Sequence, residues 1–248
     1  YRDIKPTLVR GQRCLCAFCE LSVADSTSDE DIAAKADSQR VEHLHQKSDR
    51  SGPINWALQW QNLCAVCMGG SQRTLDGERF EAARYLPPLP ENLSCDSAKD
   101  RWIQAKKLPL ESEGWLLSPY DVPAFPPIVH ITNEGIIEPH VENCAAWTPE
   151  QNQYPDSATL VQKTIDFLNL NCPRLQEARR IVRSQLEKDI QRARTSRPGV
   201  TPDQVLGELA RRKFSRDAKF AWPQFFSVIR DRLGSHAEAH LQFIAYQG

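Results

Sequence analysis

The spacing of the cysteines constrains this chain more than any other feature. Six of the eight cysteines lie in the first hundred of 248 residues. Cys16 and Cys19 form one C-x-x-C pair, and Cys64 and Cys67 form another. We find no pattern typical of a secretory signal, and without one such paired cysteines favour a zinc site over disulfides. The sequence therefore predicts that a structural zinc ion organises the N-terminal half.

The second half of the zinc site has two interpretations. Cys67 is followed by Met68, which cannot serve a hard metal, whereas Cys95 is followed by Asp96, which can. A zinc-binding turn that positions a catalytic ligand should place its last cysteine beside that ligand. The set that we favour is Cys16, Cys19, Cys67 and Cys95. Cys64 remains the alternative fourth ligand.

Residues between and beside these cysteines are suited to cleaving phosphodiester bonds. Such cleavage needs an activated water and neutralised charge at phosphorus, which one base and one divalent ion can supply. His43 is the predicted base, because imidazole titrates near neutrality. Glu42 and Asp96 are the predicted ligands of a catalytic Mg²⁺ or Mn²⁺. Since neighbouring strand residues point to opposite faces, Glu42 and His43 share the site only if the strand twists or bulges.

Four further residues have predicted roles around this centre. Asn62 is expected to orient the His43 ring through a hydrogen bond. Lys99, one helical turn after Asp96, is expected to contact the same phosphate. The predicted substrate-binding residues are His45 and Lys47, on the strand face of His43.

Structural alternatives stay open for three of these residues. Asn62 could instead cap a turn, and Asp96 could cap a helix over residues 97–106. His45 could equally serve packing rather than substrate binding. The sequence does not decide between these roles.

Composition limits the class of protein. The chain is 40% hydrophobic and 25% charged, with a formal net charge of −1. These values are ordinary for a globular chain and exclude a globally basic nucleic-acid binder. No apolar run is long enough to cross a bilayer, so we expect a cytoplasmic protein with no membrane contact. The length allows one or two hydrophobic cores.

The predicted secondary structure changes near residue 149. Before it, we predict a strand over residues 41–45, an insertion over 68–94 with a short helix at 78–85, and a hairpin around 133–135. After it, helix signals follow at Asp156, Pro173 and Thr201, and a last predicted helix ends at Gly234. We therefore divide the chain into a region 1–148 and a helical region 149–248.

A basic stretch marks the helical region. Residues 174–197 carry eight arginine or lysine residues and three acidic residues, so the local charge is eight minus three, or +5. Such a helix face could bind a phosphate backbone or an acidic protein, or it could simply be solvated. The sequence leaves these three interpretations open.

Taken together, the motifs resemble those of the HNH endonucleases, the ββα-metal nuclease family. The resemblance is nearest to the bacterial PtuB branch, found in Septu-type anti-phage systems and some retrons. The matching segments are 16–20, 42–43, 47–48, 60–63, 66–70, 95–99 and 118–119. They fall within residues 14–140, and the helical tail matches less specifically.

The resemblance implies an α+β fold: a zinc-stabilised ββα-metal core, a small β extension and a C-terminal helical bundle. It implies His43 as base, Asn62 as the middle Asn of the family motif, and Asp96 in place of a final His or Asn. That aspartate is a departure, because it adds a negative charge. The segment 44–46 also lacks the aromatic and proline residues frequent in the family.

The implied function is a metal-dependent endonuclease effector of anti-phage defence that cleaves DNA. The resemblance also implies an ABC-type ATPase partner similar to PtuA. Two alternatives remain. One is an effector of a retron-type system that cleaves RNA such as tRNA. The other is a non-catalytic, zinc-stabilised adaptor whose basic helices bind a partner.

Overall fold

A computed structural model describes residues 3–71, 89–197, 199–215, 217 and 219–248. The predicted helix at 78–85 lies outside these residues. The first part of the chain contains α1 Ile4–Gly11, α2 Asp29–Ala34, β1 Gln39–His43, β2 Leu63–Cys67 and α3 Cys95–Gln104. The rest contains β3 Val129–Ile131, β4 Ile137–Pro139, α4 Val141–Ala145, α5 Ser157–Phe167, α6 Pro173–Thr195, α7 Pro202–Lys213, α8 Phe226–Leu233 and α9 Ser235–Phe243.

An antiparallel hairpin followed by a helix forms the centre of the first part. Strands β1 and β2 pair in continuous register from Gln39 opposite Cys67 to His43 opposite Leu63. The bulge expected at the motif is therefore not found, and by strand alternation Glu42 and His43 belong to opposite faces of β1. The strand also begins and ends two residues earlier than predicted, because the main chain at His45 bonds the side chain of Asn62 instead of β2.

Local signals in the second half of the sequence gave accurate predictions. The turn around residues 133–135 joins β3 to β4. Asp156 caps α5 by accepting a hydrogen bond from the Thr159 amide. Thr201 and Gln204 form a complete capping box at α7. Helices α6 and α8 also begin and end within about two residues of the predicted positions.

Four short helices were not predicted from the sequence: α1, α2, α4 and α9. The acidic segment at 24–40 was expected to be a loop, yet α2 begins there at a Ser28 cap that accepts a bond from Asp31. Three acidic residues in its first turn also favour the positive end of the helix dipole. Helix α3 starts at Cys95, with Ser94 at its N-cap, so Asp96 lies inside the first turn rather than capping it.

One hydrophobic core includes residues from both predicted regions. It joins Val9, Leu63 and Val66 of the first part to Leu160 and Leu175 of the helical part. A second cluster lies among the later helices, with Leu186, Val205, Phe214, Phe226 and Leu241 at its centre. The division at residue 149 stays a prediction about folding units, since it does not correspond to a gap between cores. No helix among the described residues is both long and apolar enough to cross a membrane.

Glu20 connects the cysteine-rich turn to the helical region. Its carboxylate accepts hydrogen bonds from the Ser227 amide at 2.9 Å and the Ser227 hydroxyl at 2.6 Å. Its main-chain oxygen accepts a bond from the amide of Phe225. The N-cap position of α8, Phe225, supplies no side-chain cap of its own. Glu20 therefore caps α8 from a distant part of the chain.

We predict that Glu20→Ala lowers the free energy of unfolding by about 1–2 kcal/mol, as loss of a helix cap does. Differential scanning calorimetry would measure the change. Glu30→Ala is the matched control, because Glu30 is an exposed glutamate on α2. Equal stability of the two variants would show that the Glu20 contact contributes nothing.

Candidate active site and zinc site

Four buried cysteine sulfurs come together where three elements meet. Cys16 and Cys19 come from the turn after α1, Cys67 ends β2, and Cys95 begins α3. All four Sγ atoms lie within 4.8 Å of one another. The separations are 3.9 Å for Cys16–Cys95, 3.7 Å for Cys19–Cys67 and 3.8 Å for Cys67–Cys95. None of these pairs forms a disulfide.

These separations fit a tetrahedral zinc–thiolate centre. A tetrahedron with Zn–S distances of about 2.3 Å has S–S edges of about 3.8 Å. Cys64 is absent from the cluster although it is only three residues from Cys67. Residues three apart on a strand point to opposite faces, so the two cannot both face one ion. The four cysteines that the structure brings together are therefore the ones favoured from the sequence. They could hold a zinc ion.

Main-chain geometry supports the Cys67 sulfur. The Gly69 amide donates a hydrogen bond to Cys67 Sγ at 3.3 Å. Gly69 has a φ of +59°, and a Cβ at this position would approach the Ser94 carbonyl to 2.3 Å. Glycine is therefore required here. Hydrogen bonds with the thiols of Cys16, Cys19 and Cys95 hold the pKa of Cys67 well below its usual range.

Two buried arginines from α6 lie beside the cysteine cluster. Arg174 donates from Nη2 to the Ser94 hydroxyl at 2.9 Å, and that hydroxyl contacts Cys95 Sγ at 3.6 Å. Arg174 Nε is buried without a hydrogen-bond partner among the described residues. Burial alone lowers the pKa of Arg174, but the nearby thiols of Cys172 and Cys67 raise it above its ordinary value.

Arg179 is equally buried, at 3% exposure. Its Nη1 donates to the carbonyl oxygen of Leu170 at 2.8 Å, and its guanidinium lies over the Phe225 ring. Burial lowers the pKa of Arg179, while the charges of Cys19 and Glu20 oppose that shift. A zinc ion with four thiolates carries a net charge of −2, which these two arginines would balance. Both had been counted in the basic stretch at 174–197, and neither is available to a phosphate backbone.

The hairpin and α3 are joined by two ion pairs on one face. Residues 40 and 42 share a strand face, and residues 96 and 99 are one helical turn apart. Arg40 Nη1 bonds Asp96 Oδ2 at 2.8 Å, and Lys99 Nζ bonds Glu42 Oε1 at 2.6 Å. The two predicted metal-binding carboxylates therefore lie at the same strand–helix contact. Arg40 was not identified from the sequence, although its spacing of two from Glu42 was a usable signal.

Burial dominates the electrostatics of both carboxylates. It raises the pKa of Glu42, against the lowering effect of Lys99. It also raises the pKa of Asp96, against the opposing effect of Arg40. Each carboxylate thus has a cation as its ion-pair partner, and Lys99 is fully buried whereas the Arg40 side chain is 35% exposed. Removing one partner from a buried pair such as Lys99–Glu42 typically costs about 3–5 kcal/mol.

Lys99 does not have the position expected of a phosphate ligand. Its side chain is fully buried and donates to Glu42 and to the main-chain oxygens of His43 and Leu44. These contacts use all three ammonium hydrogens. Lys99 therefore fixes the end of β1 and orients Glu42, and it has no donor left for a substrate.

His43 ends β1 and is buried to 6% exposure. Burial and the positive charge of Lys47 lower its pKa, whereas a hydrogen bond with the main chain of Ala57 opposes that change. The ring is therefore neutral at neutral pH, the form in which it can accept a proton. Lys47 is exposed at the entrance of this loop.

Asn62 holds the loop between the strands rather than the His43 ring. Its Oδ1 accepts from the amide of His45 at 2.6 Å, and its Nδ2 donates to the carbonyls of His45 and Trp56 at 2.9 and 2.8 Å. Asn62 was expected to bond the His43 ring. The ring instead forms its hydrogen bond with the main chain of Ala57. Asn62 therefore influences the position of His43 only indirectly, by fixing the conformation of the loop that follows it.

His45 is enclosed on all sides. Its Nδ1 bonds Glu113 at 2.9 Å and its Nε2 bonds Asp49 at 2.8 Å. Its ring stacks on Trp56 with centroids 3.8 Å apart and 11° between the planes. The expected substrate contact is not possible in this arrangement. The structural alternative fits instead, and the i+4 spacing of Asp49 was the signal for it.

The remaining question is whether the acidic pair fits a divalent ion. Carboxylate oxygens are the donors that Mg²⁺ and Mn²⁺ prefer, and Mg²⁺ commonly uses one or two carboxylates with water and substrate phosphate. Within the described residues, the structure brings three or more candidate metal ligands close together at one place only, the four cysteines. Glu42, His43 and Asp96 do not form a closed cage. Two carboxylates with water and substrate phosphate would be enough donors for Mg²⁺, so an ion held by Glu42 and Asp96 stays a prediction.

We predict that Cys16→Ala abolishes stoichiometric zinc and lowers the melting temperature, because structural zinc contributes folding energy directly. Metal analysis and calorimetry of the purified protein would measure both. Cys64→Ala is the matched control: it also removes a buried thiol, yet it should retain zinc. Zinc loss in the control alone would overturn the ligand set.

We predict that Arg174→Gln weakens zinc retention about 10–100-fold, the usual effect of removing an outer-shell partner of a metal site. Competition with a chromophoric chelator would measure it. Arg180→Gln, an exposed arginine of the same helix, is the control and should bind zinc normally. Identical zinc affinities would show that Arg174 does not support the cluster.

One comparison with known proteins is informative. The chain is 35% identical, over 185 residues, to a protein of Escherichia coli named as a candidate HNH endonuclease of retron Ec83. The match covers 73% of this chain and 64% of the relative, so the chain spans less than two thirds of that protein's length. No protein-family model matches the chain. With the hairpin, the helix and the cysteine cluster in place, this similarity supports a relationship to the HNH endonucleases.

Proposed function

We propose that this chain is a metal-dependent endonuclease that hydrolyses phosphodiester bonds in DNA. We further propose that it is an effector of bacterial anti-phage defence and acts with an ABC-type ATPase. The observation that carries the proposal is the contact of β1 with α3. It places two buried carboxylates, Glu42 and Asp96, at one strand–helix contact, and His43 follows Glu42 at the end of β1.

In this proposal, His43 removes the proton from the attacking water. Its ring is held by the Ala57 main chain, in a loop that Asn62 fixes at both ends. A positioned base of this kind contributes typically about 10²–10⁴-fold to the rate. Lys47, exposed nearby, is the residue that we assign to substrate binding.

Glu42 and Asp96 would hold the divalent ion through carboxylate oxygens, together with water and the substrate phosphate. When bound, the ion would neutralise phosphate charge and stabilise the leaving oxygen. Lys99 and Arg40 keep the two acids in place and ionised within the protein. The zinc cluster fixes the relative positions of β2 and α3, which carry Cys67 and Cys95.

RNA cleavage is the second candidate function. Its support is the name of the relative, which assigns that protein to a retron. The chemistry of the site is the same for both substrates, since it acts on the phosphodiester. A non-catalytic adaptor has less support, because an adaptor does not need two costly buried carboxylates beside a neutral histidine.

We predict that His43→Ala lowers nuclease activity at least 100-fold while the chain stays folded and keeps its zinc. Purified chain would be assayed with Mg²⁺ or Mn²⁺ on plasmid DNA and on tRNA, with and without the ATPase. The comparison of substrates decides between the two candidate functions.

His130→Ala is the matched control. His130 is partly exposed and bonds Glu138 in the second hairpin, away from the β1–α3 contact. It should leave cleavage unchanged. Cleavage by His43→Ala at the wild-type rate would remove the proposed base, and with it the proposed mechanism.

A further inference from the structure

Four cations of α6 form an exposed row that the proposed mechanism does not use. We call Arg180, Lys188, Arg192 and Arg194 the basic stripe. All four are exposed, and none has an ion pair among the described residues. At 100° per residue, Arg180, Lys188 and Arg192 fall within an arc of about 120°, with Arg194 at its edge. They therefore share one face of the helix.

The two acidic residues between Arg180 and Arg194 are paired with cations of other helices. Glu187 is paired with Arg232 of α8 through two hydrogen bonds. Asp189 accepts from Lys213 of α7 at 3.3 Å and lies 3.8 Å from Arg212. The stripe consequently keeps its full charge of +4. This distinguishes it from an ordinary solvated helix, in which charges of both signs alternate.

A polar cleft adjoins the stripe. Its volume is about 550 Å³, and donors from α6 line it together with a residue of the β3–β4 turn. The donor residues are Asn133, Arg180, Arg183, Ser184, Gln185 and Lys188. Guanidinium, ammonium, hydroxyl and amide groups are the groups that bind phosphate oxygens in protein–nucleic acid contacts.

The length of the stripe suits a nucleic-acid backbone. From Arg180 to Arg192 the helix rises about 18 Å, at about 1.5 Å per residue. That distance corresponds to about five nucleotides at a rise of about 3.4 Å along a duplex strand. A protein partner fits less well, because the core of a protein interface is apolar and this face offers mainly Ile181.

We propose that the basic stripe and its cleft bind the phosphodiester backbone of a nucleic acid. This inference rests on the proposed function for the identity of the ligand. It assigns to the helical region a task separate from catalysis: holding the substrate strand by charge, without reading its sequence.

Binding can be measured separately from cleavage. The full chain with His43→Ala would be titrated into labelled duplex DNA, single-stranded DNA and RNA of one sequence, by fluorescence anisotropy at several salt concentrations. Arg180→Gln, Lys188→Gln and Arg192→Gln would be combined in that background. We expect at least a tenfold loss of affinity, and for duplex DNA a salt slope smaller by about 2.7, that is, 0.9 for each lost phosphate contact.

The matched control removes three exposed cations from other surfaces: Lys106→Gln, Lys163→Gln and Lys219→Gln. It changes the net charge equally and should keep most of the affinity. Melting curves would show that both triple variants are folded. The three nucleic acids distinguish duplex from single-stranded ligands.

Three outcomes would overturn the inference. The first is equal weakening by the stripe and control variants, which would show that only net charge matters. The second is no binding of any nucleic acid by the parent chain. The third is unchanged binding by the stripe variant. None of these outcomes touches the His43 cleavage assay, so a failure of the stripe is distinguishable from a failure of the proposed nuclease.

Discussion

The meeting of four thiol groups is the constraint on which the active site depends. The sulfurs join a turn, the end of β2 and the start of α3, which belong to distant parts of the sequence. Cys95 is the first residue of α3 and Asp96 the second. A zinc ion held by these sulfurs would therefore set the position of Asp96, the carboxylate proposed to hold the catalytic ion. Loss of this centre would release α3 from the hairpin, and both ion pairs with it.

The helical region supplies the positive charges that lie beside the cysteine cluster. Arg174 and Arg179 bring two positive charges into the core beside the sulfurs, and Glu20, next to Cys19, caps α8. Such buried groups are costly unless they are paired or neutralised. The helical region is thus more than an appended binding surface. Its inner face supports the cysteine cluster, while its outer face carries the basic stripe.

Much of this arrangement was predictable, because its signals are local. The caps at Asp156 and Thr201, the proline at the start of α6 and the turn at residues 133–135 act over a few residues. The sequence could not show the contacts of His45, Asn62 and Lys99, because their partners are distant or on the main chain. A histidine that bonds Glu113, 68 residues away, carries no signal of that contact in its own segment. Short helices such as α1 also gave too little periodicity to recognise.

The sequence by itself determined which chemistry is available: paired thiols for zinc, two acids and a histidine for hydrolysis, and an excess of cations over residues 174–197. The tertiary structure decided which of these groups can act. Because strand side chains alternate, Cys64 faces away from the cysteine cluster. Lys99, Arg174 and Arg179 are buried, so they balance charges inside the protein instead of facing the solvent. The physical reason is that residue type fixes what a group can do, whereas burial and partners fix whether it faces the solvent or the core.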